Sequence, residues 1–167
     1  LDGYSSRRGS RSLTWTKVTQ DINLVEHLMA LYFCWEYPTF ASLSKEHFIA
    51  DFRRGLSRYC SPLLVNTMLA LGCRFSDLPE SRVDPTDPTT SGDHFFAEAK
   101  RLLTEDDHSS LTTIQAIGLM SIREINCGRD TESFYYAGQA IRLAVESGLH
   151  VDADEHDGYN AQHEGAA

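Results

Sequence analysis

The chain reads as an all-α protein of about six helices, arranged as antiparallel αα-hairpins in a helical-repeat-like array. Three observations predict this. From Asp21 to His150, apolar residues recur at spacings of three and four, the period of a helix with one buried face. The same stretch is punctuated by residues that start and stop helices: Asp21, Ser44, Ser61-Pro62, Ser110, Gly128 and Gly148. Nowhere does it alternate polar and apolar residues as a half-buried strand would.

Asp21 is placed as an N-cap, with Leu24, Val25, Leu28, Leu31, Tyr32 and Trp35 forming one apolar stripe behind it. Pro38 ends this helix, because the residue before a proline is pushed out of the helical region. Ser44 opens a second helix with Phe48, Phe52 and Leu56 on its inner face. Ser61-Pro62 pairs an N-cap serine with proline at the first helical position and starts a third helix through Leu64, Met68, Leu71 and Phe75, in which Ala70 and Gly72 allow close approach. Residues 77–92, rich in Pro, Ser, Thr and Asp, read as a long mobile surface loop.

Helix text resumes at about Asp93 with Phe95, Phe96, Ala99, Leu102 and Leu103. Ser110 caps a helix carrying Leu111, Ile114, Ile117, Gly118, Ile122 and Ile125. Gly128 stops it and Asp130 caps the last helix, whose buried face is expected to hold Phe134, Ala137, Gly138, Ile141, Val145 and Leu149. Gly148 fits a left-handed C-terminal cap with Leu149 folding back. The connections are short, which favours antiparallel neighbours, but no motif recurs at a fixed period, so a solenoid is not inferred. Residues 1–19 read as a flexible linker, 20–150 as the helical domain and 151–167 as a disordered acidic tail.

The 167 residues suit one domain, and 41% hydrophobic against 23% charged residues is a globular balance. A net charge of −9 repels phosphate, which argues against nucleic acid as a partner of the chain as a whole. No apolar run approaches the roughly 20 residues that cross a bilayer, and the polar opening is no signal peptide, so a soluble intracellular protein is expected. Cys34, Cys60, Cys73 and Cys127 lie in apolar helical text and are expected to be small buried hydrophobes of a reducing compartment.

Catalytic, cofactor and metal sites are not expected. The cysteines are tens of residues apart, where a structural zinc site wants pairs two to four residues apart. His150, Asp152, Asp154, Glu155 and His156 could catch a divalent ion, but a solvated acidic run explains them as well. Cys34 with His27, and Cys60 with His47, show no sign of an activated thiolate. Arg7, Arg8 and Arg11 ahead of or beside Ser10 are compatible with an import signal or a kinase site, and equally with a solvated linker. Tyr32, Trp35, Tyr37 and Phe40 crowd one helix end; a core corner is the ordinary reading, a pocket for a hydrophobic effector the functional one. Arg123 and Glu124, adjacent in sequence, are expected to point apart, with Glu124 meeting an arginine of a neighbouring helix.

Four segments carry a family resemblance: His27-Leu-Met-Ala-Leu-Tyr-Phe-Cys-Trp-Glu-Tyr-Pro-Thr-Phe40, Leu64-Val-Asn-Thr-Met-Leu-Ala-Leu-Gly-Cys-Arg-Phe75, Ser121-Ile-Arg-Glu124, and Tyr136-Ala-Gly-Gln-Ala-Ile-Arg-Leu-Ala-Val-Glu-Ser-Gly-Leu-His150. Over about residues 20–150 the chain resembles the first part of the middle homology region of fungal zinc-cluster transcription factors. The resemblance implies a nuclear regulatory domain that contacts other segments of a transcriptional regulator or co-regulators, or an effector. It assigns zinc and DNA binding to a six-cysteine N-terminal head that is not expected in this chain, and it transfers no catalytic residue. A metabolite-sensing helical domain without a DNA-binding role is the alternative. Family members usually continue past the equivalent of His150 into further helices, where this chain turns Asp-rich. The last helix is therefore also expected to expose an apolar face, with self-association near Ile141 and Val145.

Overall fold

The computed structural model describes residues 15–105 and 110–150. The linker up to residue 14, with Arg7, Arg8, Arg11 and Ser10, the break at 106–109 and the acidic tail from 151 lie outside the described residues. Those described contain six α-helices and no strand: α1 (Ile22–Leu31), α2 (Lys45–Arg54), α3 (Pro62–Gly72), α4 (Asp93–Glu105), α5 (Leu111–Asn126) and α6 (Asp130–Glu146).

Local chemistry starts these helices where expected. Asp21 accepts hydrogen bonds from the amides of Asn23 and Leu24, Ser61 from Leu64 and Ser110 from Thr113. These satisfy donors that the first helical turn leaves without partners. The start of α6 differs: Arg129 occupies the cap position, and Asp130 is the first helical residue, where its charge faces the positive end of the helix dipole. At the far ends of α5 and α6, Gly128 and Gly148 take φ of +72°. The Arg129 amide reaches Glu124 O, and the Leu149 amide reaches Ala144 O, the paired closure of a glycine-capped helix.

Helix α1 passes into a π-helical turn, Tyr32–Glu36, closed by the Tyr37 amide on Tyr32 O at 3.0 Å. The wider turn shifts the register after Leu31. Tyr32, Phe33 and Glu36 therefore point inward and Trp35, assigned to the inner stripe by α-helical spacing, is 61% exposed. Leu56, expected on the inner face of α2, is also exposed because it follows the left-handed Gly55 that ends that helix.

The centre of the fold is α3, buried from Leu63 to Gly72. A Cβ on Gly72 would lie 2.2 Å from Leu28 O, so α1 crosses α3 at backbone contact. Helices α1, α4 and α5 pack on α3, and α6 packs on α5. The consecutive helices α3 and α4, and α5 and α6, pack as pairs, as expected, with α3 at the hub and α6 as an outer layer.

Residues 77–92 are an ordered connection rather than a loose one. They form two short 3₁₀ turns, Pro79–Ser81 and Pro88–Thr90, and Arg82 bridges to Ser91. Asp84 and Asp87 each accept from the amide and hydroxyl of the threonine two residues on. Ser91 Oγ donates to Cys73 O at 2.8 Å, and Gly92, at φ +74°, sits so close to α3 that a Cβ would lie 2.3 Å from Ala70 O. Local side-chain-to-backbone bonds thus supply what hydrophobic periodicity does not.

Trp15 and Thr16, within the segment read as a linker, pack onto the helical core. The Trp15 ring stacks on Phe52 and its Nε1 donates to Phe52 O; Thr16 donates to Asn66 Oδ1 at 2.7 Å, and Asn66 Nδ2 donates to Trp15 O. Asn66 is a buried amide inside the hub helix, and these bonds explain why it is tolerated there.

Candidate functional site

Of the four aromatic residues at the α1 end, Tyr32 and Tyr37 meet, with ring centroids 6.5 Å apart, while Trp35 and Phe40 lie apart from them. Tyr32 is fully enclosed, edge-on to Phe33, and burial pushes its phenol well above the ordinary range. Tyr37 is half-buried and donates to Leu43 O at 2.8 Å. Trp35 lies on the outer side, stacked on Phe75, and Phe40 is exposed. The neighbouring residues Phe33 and Cys34 instead line an open groove of about 580 Å³ between α1 and α2, whose floor is completed by Met29, Ile49 and Phe52.

Of the four cysteines, Cys60 and Cys73 are buried as expected, and burial raises both thiols. Cys34 and Cys127 are exposed, because the π turn carries Cys34 outward and Cys127 ends α5. A zinc cluster does not fit these positions: the cysteines stand on separate elements, and among the described residues no group of three or more His, Cys, Asp and Glu is arranged to hold a metal.

The densest polar chemistry lies where α4, α5 and α6 meet. Arg123 is 4% exposed at its side chain; it pairs with Asp93 and lies over the Phe96 ring at 4.3 Å. Glu124, also 4% exposed, is bound by the Arg129 guanidinium and lies 3.6 Å from Arg123. The two adjacent residues therefore do approach each other, contrary to their expected divergence. Burial on a helix end packed by two neighbours bends both side chains toward the same polar pocket. Hydrogen bonding to Glu124 raises the already high pKa of Arg129 and fixes its charge. Beside this network, Glu36 is buried near Arg74, and burial raises its carboxyl above the usual range against the opposing pull of Arg74.

The network separates two clefts. One, of about 470 Å³, is lined by Phe96, Lys100, Glu132 and Tyr136 in addition to the network itself. The other, of about 550 Å³, lies between the end of α3, the 77–92 connection and the α5–α6 corner. Sequence reasoning singled out Arg123 and Glu124 but not Asp93, Arg129 or Arg74 as members of one group. Arg129, directly after the Gly128 stop, was the nearest available signal for the partner of Glu124.

The last helix presents two apolar sides. Ser133 and Leu143 are buried and Tyr136, Ala140 and Ala144 half-buried, facing α5, where Leu143 joins Ile114 and Ile117 in a small core. Of the residues assigned to its buried face, Ala137 is half-buried, while Phe134 is 72% and Ile141 66% exposed, and Gly138, Val145 and Leu149 are also exposed. Among the described residues an apolar face is thus exposed on α6, but it is the stripe that hydrophobicity alone had placed inside.

The described residues thus form an all-helical unit with an ionic junction between α4, α5 and α6 and an exposed apolar helix face. Comparison with known proteins gives its family. The fungal specific transcription factor domain matches residues 29–163. The nitrogen assimilation transcription factor nirA of Emericella nidulans is 52% identical over 143 residues, covering 83% of this chain and 16% of that protein. The nitrogen assimilation transcription factor nit-4 of Neurospora crassa is 46% identical over 149 residues, covering 83% of this chain and 14% of that protein. The activatory protein CHA4 of Saccharomyces cerevisiae is 28% identical over 148 residues, 78% of this chain and 22% of that protein. The chain belongs to the fungal-specific transcription factor domain family and is a regulatory domain of a fungal transcription factor. It spans only about a sixth of the first two relatives' length. No solved structure matches it. Among the described residues no helix is long and apolar enough to cross a membrane.

Proposed function

We propose that this domain regulates a nuclear transcription factor controlling genes of nitrogen assimilation, acting through protein contacts rather than catalysis. The observation that carries this is 52% and 46% identity, each across 83% of the chain, to two transcription factors named for nitrogen assimilation. In this reading zinc and DNA contacts belong to another part of the regulator, consistent with the chain's net charge of −9 and its scattered cysteines. The uncovered face of α6, with Phe134, Ile141 and Val145, supports protein contacts, since exposed apolar stripes on helices commonly meet other protein segments. Self-association at Ile141 and Val145 is the simplest form of such contact.

A domain exchange tests the proposal. Residues 15–150 replace the matching segment of the Emericella nidulans relative, and transcription from that regulator's own target promoters is measured. Retained, nitrogen-responsive expression is expected. Expression that no longer responds to nitrogen supply, from a chimera present at normal abundance in the nucleus, would reject it. Light scattering at hundreds of micromolar tests self-association, which fails if the chain is strictly monomeric and the Ile141→Ser variant scatters identically.

A further inference from the structure

We infer that copies of this chain associate head to tail, the outer face of α6 on one copy seating in the groove between α1 and α2 on the next. The inference rests on the self-association proposed above and gives it a geometry. Both surfaces are apolar, and they are opposite in shape. The groove is concave, about 580 Å³, with Met29, Phe33, Ile49 and Phe52 as its floor. The face of α6 is convex: Phe134, Ile141 and Val145 follow one another at spacings of seven and four, and all three are exposed. A groove between two helices accepts an amphipathic helix whose anchors recur at that period. Within one chain the two surfaces do not meet, since α6 packs on α5 along its inner side and turns this face away.

Length and charge agree with this pairing. The groove is lined by α1 and its π turn from Glu26 to Cys34 and by α2 from Lys45 to Arg53, so each wall runs a little over two helical turns, about 12 Å. Phe134 and Ile141 are about 10 Å apart along their helix, so both anchors fit inside it. Lys45 Nζ stands over the Phe33 ring at 4.9 Å, which sets the start of α2 beside the end of α1 and brings Arg53 to the Glu26 end. One end of the groove is therefore positive, at Lys45, and the other carries both signs. Among the described residues Lys45, Arg53 and Glu26 are in no ion pair. On α6, Asp130 lies one turn before Phe134 on the same side and is likewise in no ion pair among the described residues, while Arg142 and Glu146, beyond Ile141, are exposed and paired with each other. Seated with Asp130 toward Lys45, the helix meets the positive end with an acid and the mixed end with a mixed pair, the kind of match that fixes register. Two α6 faces set against each other would be convex on convex, leaving the groove empty and Lys45 and Asp130 without partners.

The test is sedimentation velocity of the full 167-residue chain at hundreds of micromolar. The parent is expected to form species larger than a dimer as concentration rises, because a head-to-tail contact leaves one face free at each end. Ala30→Glu sets a carboxylate on the wall of the groove, and Ile141→Ser removes an anchor from α6; each alone is expected to weaken association by on the order of tenfold. Both positions are exposed, so both variants should fold, and unchanged circular dichroism melts verify that. Mixed in equal amounts, the two are expected to recover association and to stop at a dimer, because one keeps an intact α6 and the other an intact groove. An Ala30→Glu variant that associates like the parent would overturn the head-to-tail geometry while leaving self-association through α6 standing. A mixture that stays monomeric would overturn it too, and a strictly monomeric parent would overturn both without touching the regulatory role.

Discussion

Helices α3 and α6 both carry large apolar residues yet play opposite parts. In α3 every residue from Leu63 to Gly72 is buried, and backbone contact with Leu28 of α1 leaves no space for a side chain at Gly72. In α6, a longer helix, only Ser133 and Leu143 are buried, while Phe134, Ile141 and Val145 face outward. Burial, not composition, decides what a residue contributes to stability. The hub holds the fold; the outer helix packs closely on α5 along one side and leaves its other side exposed.

The largest effect that would sharpen this contrast is expected at Gly72. An alanine there must displace the Leu28 carbonyl, which is backbone and cannot swing aside, so Gly72→Ala is expected to cost as much as a severe core mutation, about 3 kcal/mol or more. Leu69→Ala, fully buried in the same helix, is expected to cost about 2–5 kcal/mol through lost burial and the cavity left behind. Urea melts measure both. Midpoints within error of the parent would show that α3 is not the hub.

The ionic junction comes next. Glu124→Gln leaves Arg129 with a weaker acceptor while Arg123 keeps Asp93, and because Glu124 is buried but Arg129 is partly exposed the loss is expected to be about 1–3 kcal/mol, less than for a fully buried pair. Because Arg129 starts α6, hydrogen exchange is expected to rise first in the opening turns of that helix and least in α3. Uniform acceleration along the chain would mean that the two helices unfold as one unit and that the contrast is only one of burial.

Much of the fold was legible because helix ends are local chemistry. Asp21, Ser61-Pro62, Ser110, Gly128 and Gly148 act within a few residues of themselves, so their roles can be read without knowing the rest of the molecule. The π turn has no comparable signature, and missing it misplaced Trp35 and Cys34. The inner side of α6 was misjudged for another reason. The helix has two apolar stripes, and the one with larger side chains was placed inside, whereas α5 is met by the smaller Ala140 and Ala144 flanking Leu143, which allow closer packing. In the junction, Asp93 and Arg123 are thirty residues apart on different helices, and no spacing rule links them; only the tertiary fold does. The arginine partner of Glu124 was foreseeable from its burial in apolar text, and its identity was not.

A smaller effect should appear with pH. His94, near the start of α4, is half-buried, and burial lowers its pKa against the opposing influence of Asp93. In the unfolded chain it protonates near the ordinary value of about 6.5. The folded state resists that charge, so this histidine's contribution to stability is intact above about 6.5 and is lost as pH falls from there toward the lower folded value. His94→Gln is expected to flatten that part of the profile, which denaturant melts between pH 7 and pH 5 would show. An equal decline in parent and variant would assign the acid sensitivity to carboxylates elsewhere.

The smallest effect on stability is expected on the outer side of α6, and there the contrast with α3 is most exposed to failure. Ile141→Ala removes a propyl-sized part of a side chain already 66% exposed, and alanine is the better helix former, so the change is expected to lie within about 0.5 kcal/mol of zero. The same substitution type costs several times more at Leu69, although both residues are aliphatic and both sit inside a helix. If urea melts gave Ile141→Ala a loss comparable to Leu69→Ala at micromolar concentration, the outer face of α6 would be covered in the isolated chain. Dilution would then separate the two ways of covering it. A loss that fades on dilution points to a second copy, whose contribution depends on concentration, and a loss that persists points to another part of the same chain.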